Sequence, residues 1–361
     1  MENNNNENNY ENNNENNNEK QYYQKSIILV IDKYKIIFRQ YRTLYIIGNK
    51  SNYITQLQNI KINKNNSTII FTFIDNGIDL YCLINSKVFD YRNQKNLIKW
   101  ILFQILKGLE TMHSLNIIHR DINPRHILIS SKGEVKISGF GNSINDIESK
   151  FVEDKVVGHL SYIAPECLLK LNFNNKIDLW CVGVIMLELY DKKTNFFLNN
   201  EDNINENASI RLFKQLKKLA VFFKIPFNFT ENEYNQGNLN SWLNTVKLDD
   251  KIFNKILEDI PELEEDGLEL LKKLLCFNPK ERCSAKEALK GRYFESFQNF
   301  NKDEFKKNKS KANNEDLSIF LKNLEKEYPK ANNLPEDKKN EFFQKELYKM
   351  CQFKAKKKTN Y

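Results

Sequence analysis

The sequence predicts an α+β fold in two lobes, with a small, truncated and mostly β lobe at residues 26–87 and a mostly helical lobe at residues 88–296. Short runs of β-branched and aromatic residues follow one another through the first segment. From residue 96 onward, apolar residues recur at helical spacing instead. The longest apolar run, Leu179–Leu187, is typical of a helix buried on all sides.

Two polar tails flank this region. Residues 1–20 contain twelve asparagines, separated mainly by glutamates, and such a run cannot bury apolar surface. We therefore expect a disordered tail at residues 1–25. The segment 297–361 is charged, and its lysine-rich end at 354–358 is typical of a solubilising tail, with a nuclear address or a patch for anionic surfaces as the alternatives.

Local patterns divide each lobe into elements. In the small lobe, strands are predicted at residues 26–31, 34–38, 43–47, 68–74 and 78–84. The segment 51–63 fits a shortened helix or a loop. In the large lobe, helices are predicted at residues 96–114, 176–190, 208–222, 264–276 and 284–290. The apolar stripe of the first of these helices indicates core packing and not a cofactor site.

Three motifs occur in order in the middle of the chain. Residues 119–128 have the sequence His-Arg-Asp-Ile-Asn-Pro-Arg-His-Ile-Leu, residues 135–141 have Val-Lys-Ile-Ser-Gly-Phe-Gly, and residues 161–166 have Ser-Tyr-Ile-Ala-Pro-Glu. They resemble the catalytic loop, the metal-binding turn and the Ala-Pro-Glu motif of eukaryotic protein kinases. Residues 264–294 are similar to cyclin-dependent kinases, of the CMGC group. The resemblance implies a two-lobed protein kinase fold over residues 26–296.

That resemblance also implies structural roles for particular residues. In the family, the arginine at the position of Arg282 pairs with the glutamate at the position of Glu166. Asp178 opens the long buried helix of the large lobe. The full set of residues with an implied structural role is His119, Arg120, Phe140, Glu166, Asp178 and Arg282.

The residues with which protein kinases handle phosphate and metal are replaced here. Asn123 stands at the position of the family's lysine, His126 at that of its metal-binding asparagine, and Gly139 at that of its metal-binding aspartate. Glycine offers Mg²⁺ no oxygen, and imidazole nitrogen suits this hard cation poorly. Asn123 also lacks the positive charge that steadies a transferred phosphoryl group. We therefore expect no metal site and no ATP or Mg²⁺ cofactor.

Asp121 keeps the position of the family's catalytic base. A base without a positioned phosphate has nothing to act on, so we interpret Asp121 as a vestigial base that hydrogen-bonds its own loop. Arg125, four residues further on, either neutralises Asp121 or faces solvent, and the second is the commoner situation for an arginine.

The small lobe lacks the nucleotide-binding features of the family. The first glycine of the chain is Gly48, so a glycine-rich loop cannot precede it. No glutamate occurs between Glu19 and Glu110 to pair with a nucleotide-binding lysine. The candidates for that lysine are Lys50, which is the best, Lys35 and Lys61. A solvated surface position is the commoner state of each.

One acidic residue is a candidate regulator. Asp154 lies where activated cyclin-dependent kinases carry a phosphothreonine. A carboxylate there would pair with Arg120 and order the segment without phosphorylation, and a surface aspartate is the alternative. His159 replaces the threonine that many Ser/Thr kinases use to contact their lysine and aspartate.

Composition argues against several other classes of protein. No apolar run approaches eighteen residues, so we expect an intracellular protein of the cytoplasm or nucleus with no membrane partner. A net charge of +8 without a nucleic-acid module gives no reason to expect nucleic acid. The six cysteines are scattered without a pairing pattern, so we expect them to be reduced thiols. The spacing of the four histidines fits no zinc signature.

These observations favour an inactive serine/threonine protein kinase that serves as a binding or scaffold module for a protein partner. The family's cyclin-recognition sequence is absent, so cyclin binding does not carry over. Two alternatives stay open at this point. One is a weak or unconventional kinase that uses Asp121, and the other is a nucleotide-binding protein without turnover.

Overall fold

The computed structural model contains two compact units, each built from separate stretches of chain. Among the described residues, the first unit comprises those up to residue 85 together with 125–141, and the second comprises 95–124 and 142–297. The described residues are 22–28, 34–63, 68–74, 76–85, 95–130, 133–146, 149, 156–190, 207–235, 239–246 and 249–297. Asp154 and nearly all of the two predicted tails lie outside them.

An antiparallel sheet forms the centre of the first unit. Its strands are β1 (Tyr22–Ile28), β2 (Leu57–Asn63) and β3 (Thr68–Ile74), in the order β1-β3-β2. In the register, Tyr22 pairs with Ile74, and the aromatic side chains of Phe71 and Phe73 are buried. β3 confirms the strand predicted at 68–74. β1 begins four residues before the predicted start of the folded region, and β2 corrects the expectation of a helix or loop over 51–63.

A helix, α1 (Tyr34–Ile47), replaces the two strands predicted at 34–38 and 43–47, so that prediction was wrong. The helix buries one row of side chains at helical spacing, namely Ile37, Gln40, Thr43, Leu44 and Ile47. The β-branched and aromatic residues that suggested strands are spread over both faces of this helix. A window of about five residues is too short to separate a period of 3.6 from a period of 2.

A second antiparallel sheet completes the first unit. It contains β4 (Ile78–Asp79), β6 (Ile127–Ile129) and β7 (Val135–Ile137) in the order β4-β6-β7. The strand predicted at 78–84 ends after two residues, because the Asp79 carboxylate accepts the Cys82 N–H at 2.8 Å and caps a short helix, α2 (Leu80–Ile84). Close approach also matters here, because a Cβ on Gly77, at φ +88°, would overlap the backbone of β6.

The second unit is mostly helical, which agrees with the predicted α+β fold class, although residues 125–141 of the predicted large lobe belong to the first unit. Its longest helix is α3 (Lys95–Ser114), and α5 (Lys176–Tyr190) is apolar on all sides and buried. β5 (Ile117–Ile118) pairs with β8 (Ile144–Asn145) beside the loop that follows α3. The remaining helices are α4 (Pro165–Leu168), α6 (Ala208–Phe222), α7 (Glu231–Asn235), α8 (Asn240–Thr245), α9 (Asp250–Asp259), α10 (Glu264–Leu274) and α11 (Ala285–Leu289). The five helices predicted in this lobe are confirmed to within two residues at each end.

Candidate functional site

In the first unit, the His126 ring fills the space beside Gly139 that a side chain at position 139 would need. His126 leads into β6, and Gly139 follows β7, the strand paired with β6. The Ser138 N–H donates to the His126 carbonyl at 2.8 Å and fixes the two segments together. Gly139 has a φ of +83°, and a Cβ built on it would lie 2.5 Å from Cγ and 2.7 Å from Nδ1 of His126. The imidazole therefore occupies the place of a side chain at position 139.

This pair does not fit Mg²⁺. Position 139 provides no side-chain oxygen, and the only side-chain donor atoms of His126 are the nitrogens of the same ring that fills the space. Across the part of the chain that the structure describes, His, Cys, Asp and Glu residues form no cluster of three or more that could hold a metal ion.

The Asp121 carboxylate, in the second unit, accepts hydrogen bonds from three N–H groups of nearby loops. Its Oδ1 accepts from Asn123 Nδ2 at 2.8 Å and from the His159 N–H at 3.2 Å. Its Oδ2 accepts from Asn142 Nδ2 at 3.1 Å. The residue is half-buried. Each of these three contacts comes from an uncharged amide, and each serves to fix the loop.

Asp178 organises the backbone just before Asp121. Its fully buried carboxylate accepts the N–H groups of His119 at 2.9 Å and Arg120 at 3.0 Å, and it contacts His113 Nε2 at 2.9 Å. Arg120 has a φ of +69°, which is costly for an arginine, and these hydrogen bonds hold it there. Burial tends to raise the pKa of Asp178, but the hydrogen bonds and charges of His113 and His119 together outweigh it and leave that pKa lowered.

The Arg120 side chain is buried and lies over the ring of Phe173, with its guanidinium carbon 5.4 Å from the ring centroid. The proposed partner of this side chain, Asp154, lies outside the described residues, so their pairing stays a prediction.

The ion pair implied for Glu166 and Arg282 is present. Nη1 and Nη2 of Arg282 donate to Oε1 and Oε2 of Glu166 at 2.6 and 2.9 Å, and both side chains are 1% exposed or less. Arg282 also donates to three backbone carbonyls, those of Lys176, Cys276 and Phe277. The pair therefore connects α4, the start of α5 and the loop after α10.

The segment before the Ala-Pro-Glu motif lies directly on Asp121. Gly158 has a φ of +96°, and a Cβ on it would lie 2.7 Å from the Arg120 carbonyl oxygen. Beneath this segment is a cavity of about 20 Å³, lined by Asp121, His159, Tyr162 and Cys181 among others. That volume holds about one water molecule.

A hydrogen bond between Tyr162 and Glu188 connects the segment before the Ala-Pro-Glu motif to α5. The Tyr162 hydroxyl lies 2.8 and 2.7 Å from the two carboxyl oxygens of Glu188 and donates to them. Burial raises the pKa of Glu188 to about 7, although the hydrogen bond from Tyr162 acts in the opposite direction.

Glu188→Gln is expected to remove a pH dependence of stability. Between its ordinary pKa of 4.5 and about 7, this carboxyl is protonated in the folded protein and ionised in the unfolded chain, so the stability of the native protein falls as the pH rises through that window. The glutamine variant should therefore gain on the order of 2 kcal/mol relative to the native protein between pH 4.5 and 7.5. Urea unfolding at several pH values measures this, with Glu258→Gln, an exposed position on α9, as the control. Parallel stability curves for the native and Glu188→Gln proteins would contradict it.

The lysine candidates lie at different places in the first unit. Lys50 follows α1, is exposed, and donates from Nζ to the Ile46 carbonyl at 2.9 Å, a contact typical of a lysine at a helix C-terminus. Lys35 lies in the first turn of α1 and Lys61 in β2, and their side chains are outside the described part of the structure. A role for any of the three in nucleotide binding stays a prediction.

Two other candidates from the sequence have clear surroundings. Phe140 is buried and begins a short 3₁₀ helix, Phe140–Asn142. The Arg125 guanidinium lies 4.0 Å from the ring centroid of Tyr81, so it stacks on an aromatic ring. Burial raises the pKa of the neighbouring Asp79 carboxyl to about 6. The positive charge of Arg125 acts in the opposite direction and has a smaller effect on that pKa.

Sequence reasoning missed several residues of the site. No periodicity or motif singled out Asn142 or Glu188. Only the structure shows that Asn142 contacts Asp121 and that Glu188 contacts Tyr162, because the two members of each pair are far apart in sequence. Gln40 was missed because it lies between the two segments predicted as strands, at 34–38 and 43–47. It is a buried polar residue on α1, and no acidic residue occurs on that helix.

Comparison with known proteins gives a consistent family. A family model described as "Protein kinase domain" matches residues 12–294. The chain is 30% identical to Extracellular signal-regulated kinase 2 of Dictyostelium discoideum, over 73% of this chain and 68% of the relative. It is 28% identical to Mitogen-activated protein kinase HOG1 of Candida albicans, over 61% and 54% of the two chains. It is 33% identical to Cyclin-dependent kinase 4 of Ovis aries, over 54% and 59%.

The chain thus spans between about half and two thirds of the length of these relatives. They include mitogen-activated as well as cyclin-dependent kinases, a wider group than the cyclin-dependent resemblance alone. In the portion of the chain that the structure describes, no helix is both long and apolar enough to cross a membrane.

Proposed function

This chain belongs to the protein kinase family, and we propose that it is a catalytically inactive member that acts by binding another protein. The observation that carries the proposal is the contact between His126 and Gly139. In the family, the two metal-binding side chains occupy the positions of these residues. In this chain, position 139 has no side chain, and the His126 ring lies in the space that one would need. Kinase chemistry depends almost entirely on metal ions and positioned charges, so this substitution removes its main source of stabilisation.

The surroundings of Asp121 support the same proposal. In an active kinase this aspartate accepts a proton from the substrate hydroxyl. Here Asn123 takes the place of the neighbouring lysine and donates to the carboxylate. The backbone of His159 donates to the same oxygen. Loss of one preorganised charge partner typically costs about 10²–10³-fold in rate, and such losses do not simply multiply.

Phosphoryl transfer by the purified full chain is expected to equal that of its Asp121→Ala variant. The measurement is transfer of radiolabelled γ-phosphate to a basic protein substrate, with Mg²⁺ or Mn²⁺ and with an active cyclin-dependent kinase as a positive control. The reason is that the base has no positioned metal–nucleotide complex to act upon. Transfer that Asp121→Ala abolishes would overturn the proposal and favour a weak kinase.

Thermal unfolding in the presence of ATP tests the remaining alternative, a protein that binds nucleotide without turnover. A ligand that binds only the folded protein raises its stability by RT ln(1 + [L]/Kd), so millimolar ATP detects even weak binding. We expect no resolved shift with or without Mg²⁺. A shift that needs Mg²⁺ would favour a weak kinase, and a shift that is independent of Mg²⁺ would favour a nucleotide-binding protein without turnover.

A further inference from the structure

Helix α6, in the second unit, buries a glutamine side chain that no described residue satisfies. Gln215 is 1% exposed, and neither its Oε1 nor its Nε2 has a hydrogen-bond partner among the residues that the structure describes. Buried polar side-chain atoms in folded proteins nearly always have such a partner, because removal from water without a hydrogen bond is costly. A leucine would fill the same space without that cost, so packing of the isolated chain does not account for the amide.

The guanidinium of Arg211 lies beside this amide. Residues four positions apart are neighbours on a helix, and helical side chains lean towards the N-terminus, so Gln215 lies over the turn that carries Arg211. The Nε of Arg211 is buried as well, and in the described part of the chain it has no hydrogen-bond partner. Of the carboxylates that the structure describes, none forms an ion pair with Arg211. The arginine as a whole is only half-buried, so a group from solvent can reach it.

The backbone that carries this pair is held in place by the surrounding elements. Helix α6 packs against α4 and against a 3₁₀ turn, Leu160–Tyr162. The Asn207 side chain caps α6 by accepting the Ser209 N–H at 2.9 Å, and the Lys170 Nζ donates to the Ser209 hydroxyl at 3.0 Å. The two unsatisfied side chains therefore project from a fixed helix beside the Ala-Pro-Glu motif.

No charge on α6 compensates that of Arg211. The positions three and four residues away from Arg211 carry no acidic side chain, and the whole helix contains none. A partly buried cation without a countercharge is costly, so an anionic group that binds here gains a partner and relieves that cost. The planar fork of an arginine matches a carboxylate, which can accept two parallel hydrogen bonds from it.

We infer that Arg211 and Gln215 form a binding subsite for a side-chain carboxylate in an acidic segment of a partner protein. The guanidinium and the Gln215 Nε2 donate to the carboxylate, and the Gln215 Oε1 accepts a backbone N–H of the same segment. A sulfate ion offers acceptors only and would leave Oε1 unsatisfied, so a peptide fits the subsite better than a free anion. This inference rests on the proposed function, since it names the chemistry through which the chain would bind a protein.

Binding of fluorescein-labelled octaglutamate to the full chain tests the subsite, by fluorescence polarisation at 0.15 M salt. Arg211→Met should weaken binding at least fivefold, because it removes the guanidinium and keeps an unbranched side chain. Lys217→Met is the matched control, since it removes one positive charge from an exposed position on the same helix. We expect it to weaken binding by less than twofold, and both variants should keep their circular dichroism spectra.

Gln215→Leu distinguishes a ligand site from a structural one. Replacement of unsatisfied polar atoms by an apolar group of similar size is stabilising, so the midpoint of thermal unfolding should rise by about 2–4 °C. The affinity for octaglutamate should fall at least threefold in the same variant. Gln104→Leu, at another buried glutamine, on α3, is the matched control and should leave that affinity unchanged within twofold.

Several outcomes would overturn the inference. Equal losses in Arg211→Met and Lys217→Met would mean that diffuse positive charge attracts the probe. A lower unfolding midpoint for Gln215→Leu would mean that the amide makes a structural contact, such as one to a buried water molecule. Absence of octaglutamate binding, or displacement of the probe by sulfate beyond the effect of ionic strength, would remove the peptide ligand. Tighter binding of a phosphoserine peptide, lost in Arg211→Met, would make phosphate the ligand instead of carboxylate.

Failure here can be told apart from failure of the proposed function. The phosphoryl-transfer assay does not involve α6, so turnover would overturn the proposed function without changing the result for octaglutamate. Loss of the subsite would likewise leave the absence of turnover as it is.

Discussion

Arg282→Met is expected to lower the free energy of unfolding by about 3–5 kcal/mol, because it leaves a buried carboxylate without its countercharge. Glu166 is 1% exposed, and its two carboxylate oxygens accept hydrogen bonds from Nη1 and Nη2 of Arg282. The carbonyls of Lys176, Cys276 and Phe277 lose a donor in the same substitution. Urea denaturation followed by circular dichroism measures the change.

A surface ion pair of similar length provides the control. Arg292 Nη2 lies 2.9 Å from Glu269 Oε2, but the Arg292 side chain is 77% exposed. Arg292→Met should change the denaturation midpoint little, since water solvates both charges when the pair is broken. Equal effects of the two substitutions would mean that burial of the Glu166–Arg282 pair does not determine its contribution.

Replacing both Glu166 and Arg282 distinguishes the cost of an unpaired buried charge from the cost of altered packing. In Glu166→Leu/Arg282→Met no ionised group is left buried, so the double variant should be more stable than Arg282→Met alone. Full recovery is not expected, because the three backbone carbonyls still lack the arginine donor. A double variant that is less stable than the single one would show that packing at this site outweighs the charge.

The Glu166–Arg282 pair also shows which parts of the fold a sequence can predict. Its two members are 116 positions apart, and only the resemblance to a family linked them. The buried helix α5 could be predicted from composition alone, because every one of its faces is apolar. The opposite was true of α1, where β-branched and aromatic residues suggested strands although the buried side chains follow a helical period. Short-range propensity failed there because tertiary packing decides the outcome.

The candidate site divides in the same way. The identities of Asn123, His126 and Gly139 were enough to support the proposal that Mg²⁺ is not bound here, since the ligand properties of a side chain do not depend on where it lies. Their contacts could not be predicted, because contacts depend on backbone geometry. The donation from Asn142 to Asp121 and the φ of +83° at Gly139 are of this kind.

Gly139→Asp is expected to destabilise the protein by about 2–4 kcal/mol, and not to restore a metal site by itself. A non-glycine residue at this positive φ costs roughly 1 kcal/mol, and overpacking of a filled space costs about 1–3 kcal/mol more. The overlap is with the His126 ring, whose Cγ would lie 2.5 Å from the new Cβ. Gly139→Ala separates size from charge, and it should show a loss of similar size.

His126→Asn should relieve part of that loss when the two substitutions are combined. The smaller amide leaves the space that the aspartate needs. The free energy of unfolding lost in His126→Asn/Gly139→Asp should therefore be smaller, by about 1–2 kcal/mol, than the sum of the losses in the two single variants. Chemical denaturation of the four proteins in this cycle measures the coupling, and additive effects would contradict the contact. Coupling of this size would mean that the residues at positions 126 and 139 cannot be exchanged independently, because the His126 ring occupies the space that a side chain at position 139 needs.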